Sequence, residues 1–410
     1  MSGCAQAKLD ISAMKSQYIR IFSNKGANMS ILPRTLNLPQ LLDKKSFFLF
    51  GPRATGKSSL IAMQFPETVP VINLLRSDYF LHLSAKPQDL EPMIMAYKNH
   101  DLIVIDEVQR IPMLLNEVHR MIEEKKIKFL LTGSSARKLK REHSNLLAGR
   151  AWTAELMPLT SHEIPSFELQ RYLTYGGLPS VYLSEYPEEE LYAYVNTYLK
   201  EEIQAEALVR SIPAFSRFLQ VSALMSGKML NYTEIASDTG IPSSTIREFY
   251  HILEDTFIGF LVPAWTKTLK RKAMSTSKFY YFDIGVKNVL AQIHTVDEKS
   301  DLYGQVFEHF IANELRAYLS YRRKKLQLSF WCSKHGAEVD FIIGDSVAVE
   351  VKSTETVTSK HLKNLKLLSE ENICTKYILV SRDRINRVYD CVEVIYWVDF
   401  LKKLWMDEVV

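Results

Sequence analysis

Gly51-Pro52-Arg53-Ala54-Thr55-Gly56-Lys57-Ser58 satisfies every fixed position of the pattern G-x-x-x-x-G-K-[ST]. Its surroundings fit the same reading. Ser46-Phe-Phe-Leu-Phe50 is short and apolar, as a buried strand should be, and Ser58-Ser59-Leu-Ile-Ala-Met-Gln-Phe65 continues as a helix. Glycine lets the backbone turn tightly enough for successive N–H groups to point at phosphate oxygens, and the helix N-terminus adds a positive dipole end. Residues 51–59 are therefore expected to cradle ATP, with Lys57 reaching the β- and γ-phosphates and the Ser58 hydroxyl ligating Mg²⁺. The competing explanation is a glycine turn that matches by chance.

A second motif argues against chance. Asp101-Leu-Ile-Val-Ile-Asp106-Glu107 runs four apolar residues into two adjacent carboxylates, the signature of a buried parallel strand ending at the ligand edge of a sheet. Asp106 is expected to hold Mg²⁺, and Glu107 to polarise the attacking water as a general base. Lys128-Phe-Leu-Leu-Thr-Gly-Ser134-Ser135 reads as another strand with hydroxyls at its end. Two readings are open there: Ser134 or Ser135 senses the γ-phosphate, or serine caps the following turn. Arg150, in Leu146-Leu-Ala-Gly149-Arg150, likewise reads either as an arginine finger, in cis or from a neighbouring subunit, or as one half of a surface salt bridge.

Composition narrows the class. The 410 residues suffice for two to four domains, and 47% apolar with 24% charged content is ordinary for a soluble globular chain. A formal charge of +4 means that any nucleic-acid surface has to come from local clustering. No apolar run reaches the length of a membrane span, and residues 1–30 lack the apolar centre of a signal peptide. Cys4, Cys332, Cys374 and Cys391 have no metal spacing and read as free thiols in a reducing cytoplasm. Met29 reads as an alternative start.

Further along, Ser161 to about Arg210 is helical and rich in aromatics, a small lid interrupted by the Gly176-Gly-Leu-Pro179 turn, with Tyr192, Tyr194 and Tyr198 as packing residues. Tyr232-Thr-Glu-Ile-Ala-Ser-Asp-Thr-Gly240 followed by Ile241-Pro-Ser243-Ser-Thr-Ile-Arg247 has a helix-turn-helix signature. Ser243 is the expected cap, and Ser244, Arg247 and His251 form the exposed face. Lys267, Lys270, Arg271, Lys272 and Lys278 fall in a stretch without a single acid, which fits phosphate contacts to DNA. Winged helices also serve as protein-packing modules, and that reading stays open.

Beyond residue 280, Asp340, Glu350 and Lys352 have the spacing of an acid, a hairpin, and then an acid and a lysine on one strand face. Two such carboxylates can hold Mg²⁺, the lysine can activate water, and the helical segment Gly304–Leu315 can add Glu308. A hairpin with cross-strand salt bridges is the alternative.

Together these stretches resemble prokaryotic AAA-type P-loop ATPases with a winged helix and a C-terminal domain of unknown function related to PD-(D/E)XK nucleases. The resemblance rests on Gly51-Pro-Arg53, Asp106-Glu107-Val-Gln109, Leu131-Thr-Gly-Ser-Ser135, Tyr175-Gly-Gly-Leu-Pro179, Lys278-Phe-Tyr-Tyr-Phe-Asp283-Ile-Gly285, Gly304-Gln-Val-Phe-Glu308, Glu338-Val-Asp340-Phe and Glu350-Val-Lys352. It implies ATPase roles for Lys57, Ser58, Asp106 and Glu107, and nuclease-like roles for Glu308, Asp340, Glu350 and Lys352. Ala54-Thr55 stands where members often have a glutamine after the arginine. The expected fold is α/β: an extension over 1–30, a parallel-sheet P-loop core over 31–160, a helical lid over 161–212, a winged helix over 213–275 and a PD-(D/E)XK-like domain over 276–410. The expected function is ATP-dependent action on DNA, with nucleotide state gating the last two domains. The alternative is an ATP-dependent switch or regulator that binds protein or DNA without cutting. ATP or ADP, DNA, and a homo-oligomeric or other protein partner are the expected associates, with no membrane.

Overall fold

A computed structural model describes residues 32–98, 100–137, 139, 147, 149–199, 212–267 and 276–410. Its first sheet contains β1 (Ser46–Phe50), β2 (Val71–Asn73), β3 (Leu102–Asp106), β4 (Lys128–Gly133) and β5 (Ala151–Glu155) in the order β2-β3-β4-β1-β5. Every pairing is parallel. β1 is buried along its whole length, which is why Ser46-Phe-Phe-Leu-Phe50 reads as continuous apolar sequence and not as an alternation. Phe48, Ile105, Leu131, Val118 and Met121 form one core with the amphipathic helix Leu114–Lys125. The loop after β1 feeds the helix Lys57–Gln64. Gly51 is indispensable in that loop, because a Cβ there would lie 2.3 Å from the Leu156 carbonyl oxygen.

The middle of the chain is helical. Leu169–Tyr175, Pro179–Tyr182 and Pro187–Ala193 are followed by a π-helical turn over Tyr194–Leu199. The helices Ile212–Leu224, Tyr232–Thr239 and Ser243–Asp255 come next. β6 (Gly259–Pro263) and β7 (Ser277–Tyr281) then pair antiparallel, Gly259 opposite Tyr281. Leu178, Leu191, Phe218, Ile246, Leu253, Phe279 and Val286 lie in a single core. The expected boundary at 212/213 therefore divides one packed unit, and the one at 275/276 separates the two strands of a hydrogen-bonded ribbon. The second helix of the pair starts differently from expectation as well: Ser243 is its first residue, preceded by an extended Pro242, and no side chain caps it. Asn231 caps the first helix, accepting from the N–H groups of Thr233 and Glu234, and left-handed Gly240 ends it. Tyr194 is buried as expected of a packing residue, whereas Tyr192 is exposed; the Tyr198 side chain lies outside the described set.

The C-terminal part opens with the 21-residue helix Asp301–Tyr321, capped by Ser300. A six-stranded sheet follows: β8 (Leu328–Cys332), β9 (Glu338–Ile343), β10 (Val347–Lys352), β11 (Lys376–Ser381), β12 (Arg387–Tyr389) and β13 (Val392–Tyr396), ordered β12-β13-β11-β10-β9-β8. β8, β9 and β10 pair antiparallel, whereas β10, β11 and β13 run parallel. The ribbon is tied to this sheet, since the Trp265 N–H donates to the Phe330 carbonyl at 2.6 Å. Cys332, Cys374 and Cys391 are free thiols. Among the described residues, no helix is long and apolar enough to cross a membrane.

Candidate nucleotide site and a C-terminal carboxylate cluster

The loop Gly51–Gly56 brings Lys57 to the mouth of the parallel sheet. Its ammonium donates to the carbonyls of Gly51 at 2.7 Å and Pro52 at 2.9 Å. The Thr55 hydroxyl donates to Pro52 at 2.9 Å, stiffening the turn, while Arg53 and Ala54 stand exposed and Ser58 and Ser59 are half-buried. β3 delivers Asp106 beside this loop, and the Ser58 hydroxyl donates to its Oδ2 at 3.4 Å. Its Oδ1 accepts from the Thr132 hydroxyl, which the β3–β4 register places alongside. Burial pushes the Asp106 carboxyl above the usual carboxylate range, and the neighbouring Glu107 charge adds to the shift. Ser58 and Asp106 are hard oxygen donors that fit Mg²⁺.

Glu107 adopts a left-handed φ of 61°. That conformation turns it off the strand axis, and two side chains then hold its carboxylate. The Gln109 amide donates to Oε2 and also to the Ser134 hydroxyl at 3.2 Å, and Ser134 lies 3.4 Å from the same Oε2. Gly133 makes room for Gln109, since a Cβ there would come within 2.7 Å of its Oε1. Of the two serines, Ser134 faces Glu107, while Ser135 accepts from the Arg137 N–H at 3.2 Å. Sequence reading passed over Thr132 and the role of Gln109, although both stand inside motifs it quoted.

It also passed over Arg34. This buried guanidinium donates to the Thr55 carbonyl of the loop at 2.8 Å and to the Tyr321 hydroxyl at 3.2 Å, and it pairs with Glu163 at 3.2 Å. Glu163 in turn accepts from the Thr160 N–H at 3.0 Å. Nearby, buried Glu314 accepts from the Ser161 N–H and from the Trp405 indole at 3.1 Å. Burial lifts the Glu314 carboxyl from 4.5 to about 7. Asp283 holds the Gly176-Gly177 turn, accepting from the Gly177 N–H at 2.8 Å, and burial raises it to about 6.

The exit of β4 meets the second helix of the pair, Ser243–Asp255. The Ala136 N–H donates to the Asp255 carbonyl at 3.1 Å, and Arg137 pairs with Glu248 at 2.6 Å. Arg150 pairs with Glu123. Ser244, Arg247 and His251 are exposed, with Arg247 over the Tyr232 ring and His251 3.6 Å from Glu254. The basic stretch divides: Lys267 is spent on Asp345 at 2.7 Å, while Lys270, Arg271 and Lys272 lie outside the described residues.

Lys278 corrects its sequence reading as a DNA-phosphate contact. Its side chain is 3% exposed, and its ammonium lies 2.5 Å from Glu338, 3.1 Å from Glu308 and 4.0 Å from Asp340. Alternation on β7 turns Tyr280 the same way, and its hydroxyl donates to Glu308 at 2.5 Å. Burial works against the ammonium, but Tyr280, Glu308, Asp340 and Glu338 override it and raise its pKa. Across the hairpin, Asp340 accepts from the Val351 N–H at 2.8 Å, and Lys352 pairs with Glu350 at 2.7 Å. Burial raises the pKa of both Asp340 and Glu350, with Glu350 adding to the Asp340 shift. The other Glu350 oxygen, Oε2, is buried without a hydrogen-bond partner. Asp340, Glu350, Lys352 and Glu308 are thus brought together, and Glu338, Lys278 and Tyr280 join them. Among the described residues, no three His, Cys, Asp or Glu side chains gather in an arrangement that holds a metal ion.

Three family profiles match in series: an AAA domain over residues 43–165, a domain of unknown function (DUF8612) over 166–297 and another (DUF4143) over 303–400. The parallel sheet lies within the AAA-domain match, and the 166–297 match follows the single core shared by the middle helices and the ribbon. An uncharacterized protein of Mycobacterium tuberculosis is 27% identical over 324 residues, covering 75% of this chain and 70% of its own. One from Methanocaldococcus jannaschii is 22% identical over 395 residues, with 85% of each chain covered. Among solved structures, a Walker-type ATPase of Pyrococcus abyssi aligns at TM-score 0.45 and 16% identity, over 64% of this chain and 97% of that one. The replication initiator DnaA, bound to AMPPCP and single-stranded DNA, aligns at TM-score 0.27 and 14% identity, over 55% of this chain and 90% of that one.

Proposed function

We propose that this chain hydrolyses ATP and uses nucleotide state to set the position of its helix-turn-helix, as a switch and not as a nuclease. The observation that carries the reading is the convergence of Lys57, Ser58, Asp106 and Glu107 on one sheet edge. Lys57 exchanges its loop carbonyls for the β- and γ-phosphate oxygens. Ser58 and Asp106 would hold Mg²⁺, which neutralises phosphate charge when bound. Glu107 takes a proton from the attacking water, the water oxygen bonds to the γ-phosphorus, and ADP leaves with the bridging electron pair. Ser134 contacts both Glu107 and Gln109, and only two residues separate it from Arg137, whose partner Glu248 sits on the second helix of the pair. That short path supports γ-phosphate sensing that reaches the helix carrying Arg247 and His251.

ATP turnover by purified protein tests the reading. Lys57→Ala is expected to lower turnover roughly a hundredfold or more, and Glu107→Gln similarly while ATP still binds. Wild-type turnover in Glu107→Gln would remove the base assignment. DNA is the expected partner of the exposed helix face, and nucleotide-dependent DNA retention checks it; equal retention with ATP and ADP would turn the search to a protein partner. Metal-dependent cleavage through Asp340, Glu350 and Lys352 is the second reading. It is supported by their shared sheet face and opposed by the Lys278 ammonium among the same carboxylates. DNA products that vanish in Lys352→Ala would restore it.

A further inference from the structure

We propose that Lys278 is the built-in cation of the C-terminal carboxylate cluster, delivered by the ribbon, and that it excludes a divalent ion from Glu308, Glu338 and Asp340 for as long as the ribbon stays in place. The inference concerns this cluster alone and stands or falls independently of ATP hydrolysis.

Geometry carries it. A divalent ion bound by carboxylates needs oxygens at roughly 2.0–2.6 Å. The Lys278 nitrogen already occupies the point towards which the carboxylates of Glu308 and Glu338 converge, with Asp340 at the edge of its reach. An ion cannot take those oxygens without displacing it. The lysine is also held in place on its other sides. Its backbone pairs with Val262 on β6 and bridges to Met229, and its ammonium lies 5.3 Å from the centre of the Phe330 ring. Tyr280 adds a second ribbon side chain to Glu308, two residues along on the same face. Two residues past the end of β6, the backbone of Trp265 hydrogen-bonds to β8. Ribbon and cluster are therefore mechanically joined, and a shift of the ribbon is what uncovers the acids.

The cluster nevertheless retains cation demand. Among the described residues, the cations paired with Glu308, Glu338, Asp340 and Glu350 are Lys278 and Lys352, and Glu350 Oε2 is buried with no donor. Removing Lys278 leaves carboxylates that a divalent ion can satisfy, because breaking a buried pair strands the remaining charge.

Mn²⁺ binding to the full chain in a Ser58→Ala background, which silences the loop site, provides the test by electron paramagnetic resonance and calorimetry. The wild-type cluster is expected to bind no Mn²⁺ at millimolar concentration. Lys278→Met is expected to bind it roughly tenfold or more tightly, with the gain lost again in Lys278→Met/Asp340→Asn. Lys278→Gln, which keeps a polar group in the ribbon, is expected to show a smaller gain. Thermal melts add a second readout: Mn²⁺ raises the melting temperature of Lys278→Met and not of the parent. Asp340-dependent Mn²⁺ binding by the protein with Lys278 intact would overturn the proposal, and that titration decides it even if neither variant folds. Folded Lys278 variants that bind no Mn²⁺ would also overturn it, leaving the lysine as a purely structural partner.

Discussion

Gln109 offers its amide to Glu107 from a pocket that Gly133 leaves open. A carboxylate held at one oxygen keeps a fixed orientation, so loss of that hold is a loss of aim more than of affinity. Gln109→Ala is expected to lower the turnover number about tenfold while ATP affinity stays within about twofold; an equal loss in both would assign Gln109 to binding. Glu314 gives a pH prediction. Its carboxyl titrates near 7 in the folded protein and near 4.5 when unfolded, so the folded state holds the proton more tightly. Its contribution is complete below about pH 4.5 and is lost as the pH rises through about 7, a change of about 3 kcal/mol. Glu314→Gln is expected to flatten the melting temperature between pH 5 and 7, and an unchanged slope would place the titration elsewhere.

At the level of elements, the Ala136–Asp255 hydrogen bond and the Arg137–Glu248 pair link the parallel sheet to the helix Ser243–Asp255 among the described residues. Arg137→Ala is expected to leave basal ATP turnover within about threefold, yet to abolish nucleotide-dependent changes in amide exchange along Ser243–Asp255. Persistence of those changes would show that the signal travels another way. The arrangement of the candidate nucleotide site was legible in the sequence because its parts are local: a loop and the ends of two strands, each within a few residues. The ribbon was not. Its strands are separated by a basic stretch that reads as a linker, and pairing of Gly259 with Tyr281 is long-range information. Lys278 was misread for the same reason, since a lysine among lysines in sequence gives no sign of the acids folded around it. The Asp340–Glu350–Lys352 spacing did signal a hairpin, but Glu338 became part of the cluster only through the position of β7. The single core shared by Leu178 and Phe279 was likewise invisible to boundaries drawn from composition.

Across the whole molecule, Arg34 joins the phosphate loop to the long helix Asp301–Tyr321 through Thr55, Glu163 and Tyr321. The Tyr321 hydroxyl also accepts from the Met157 N–H at 3.0 Å. Arg34→Ala removes the donor from several buried acceptors at once and is expected to lower stability by roughly 3 kcal/mol. Arg34→Lys restores charge without the planar fork and should recover little of this, as chemical denaturation can measure. Because Thr55 and Tyr321 share that one guanidinium, synthesis of the chain has an order built into it. A ribosome makes the phosphate loop early, but the last partner of Arg34 emerges only when most of the polypeptide has been made. Until then the guanidinium lacks its bond to the long helix, although its partners Thr55 and Glu163 have already been made. The Arg34 network is thus completed late in translation, as a property of the nearly finished chain.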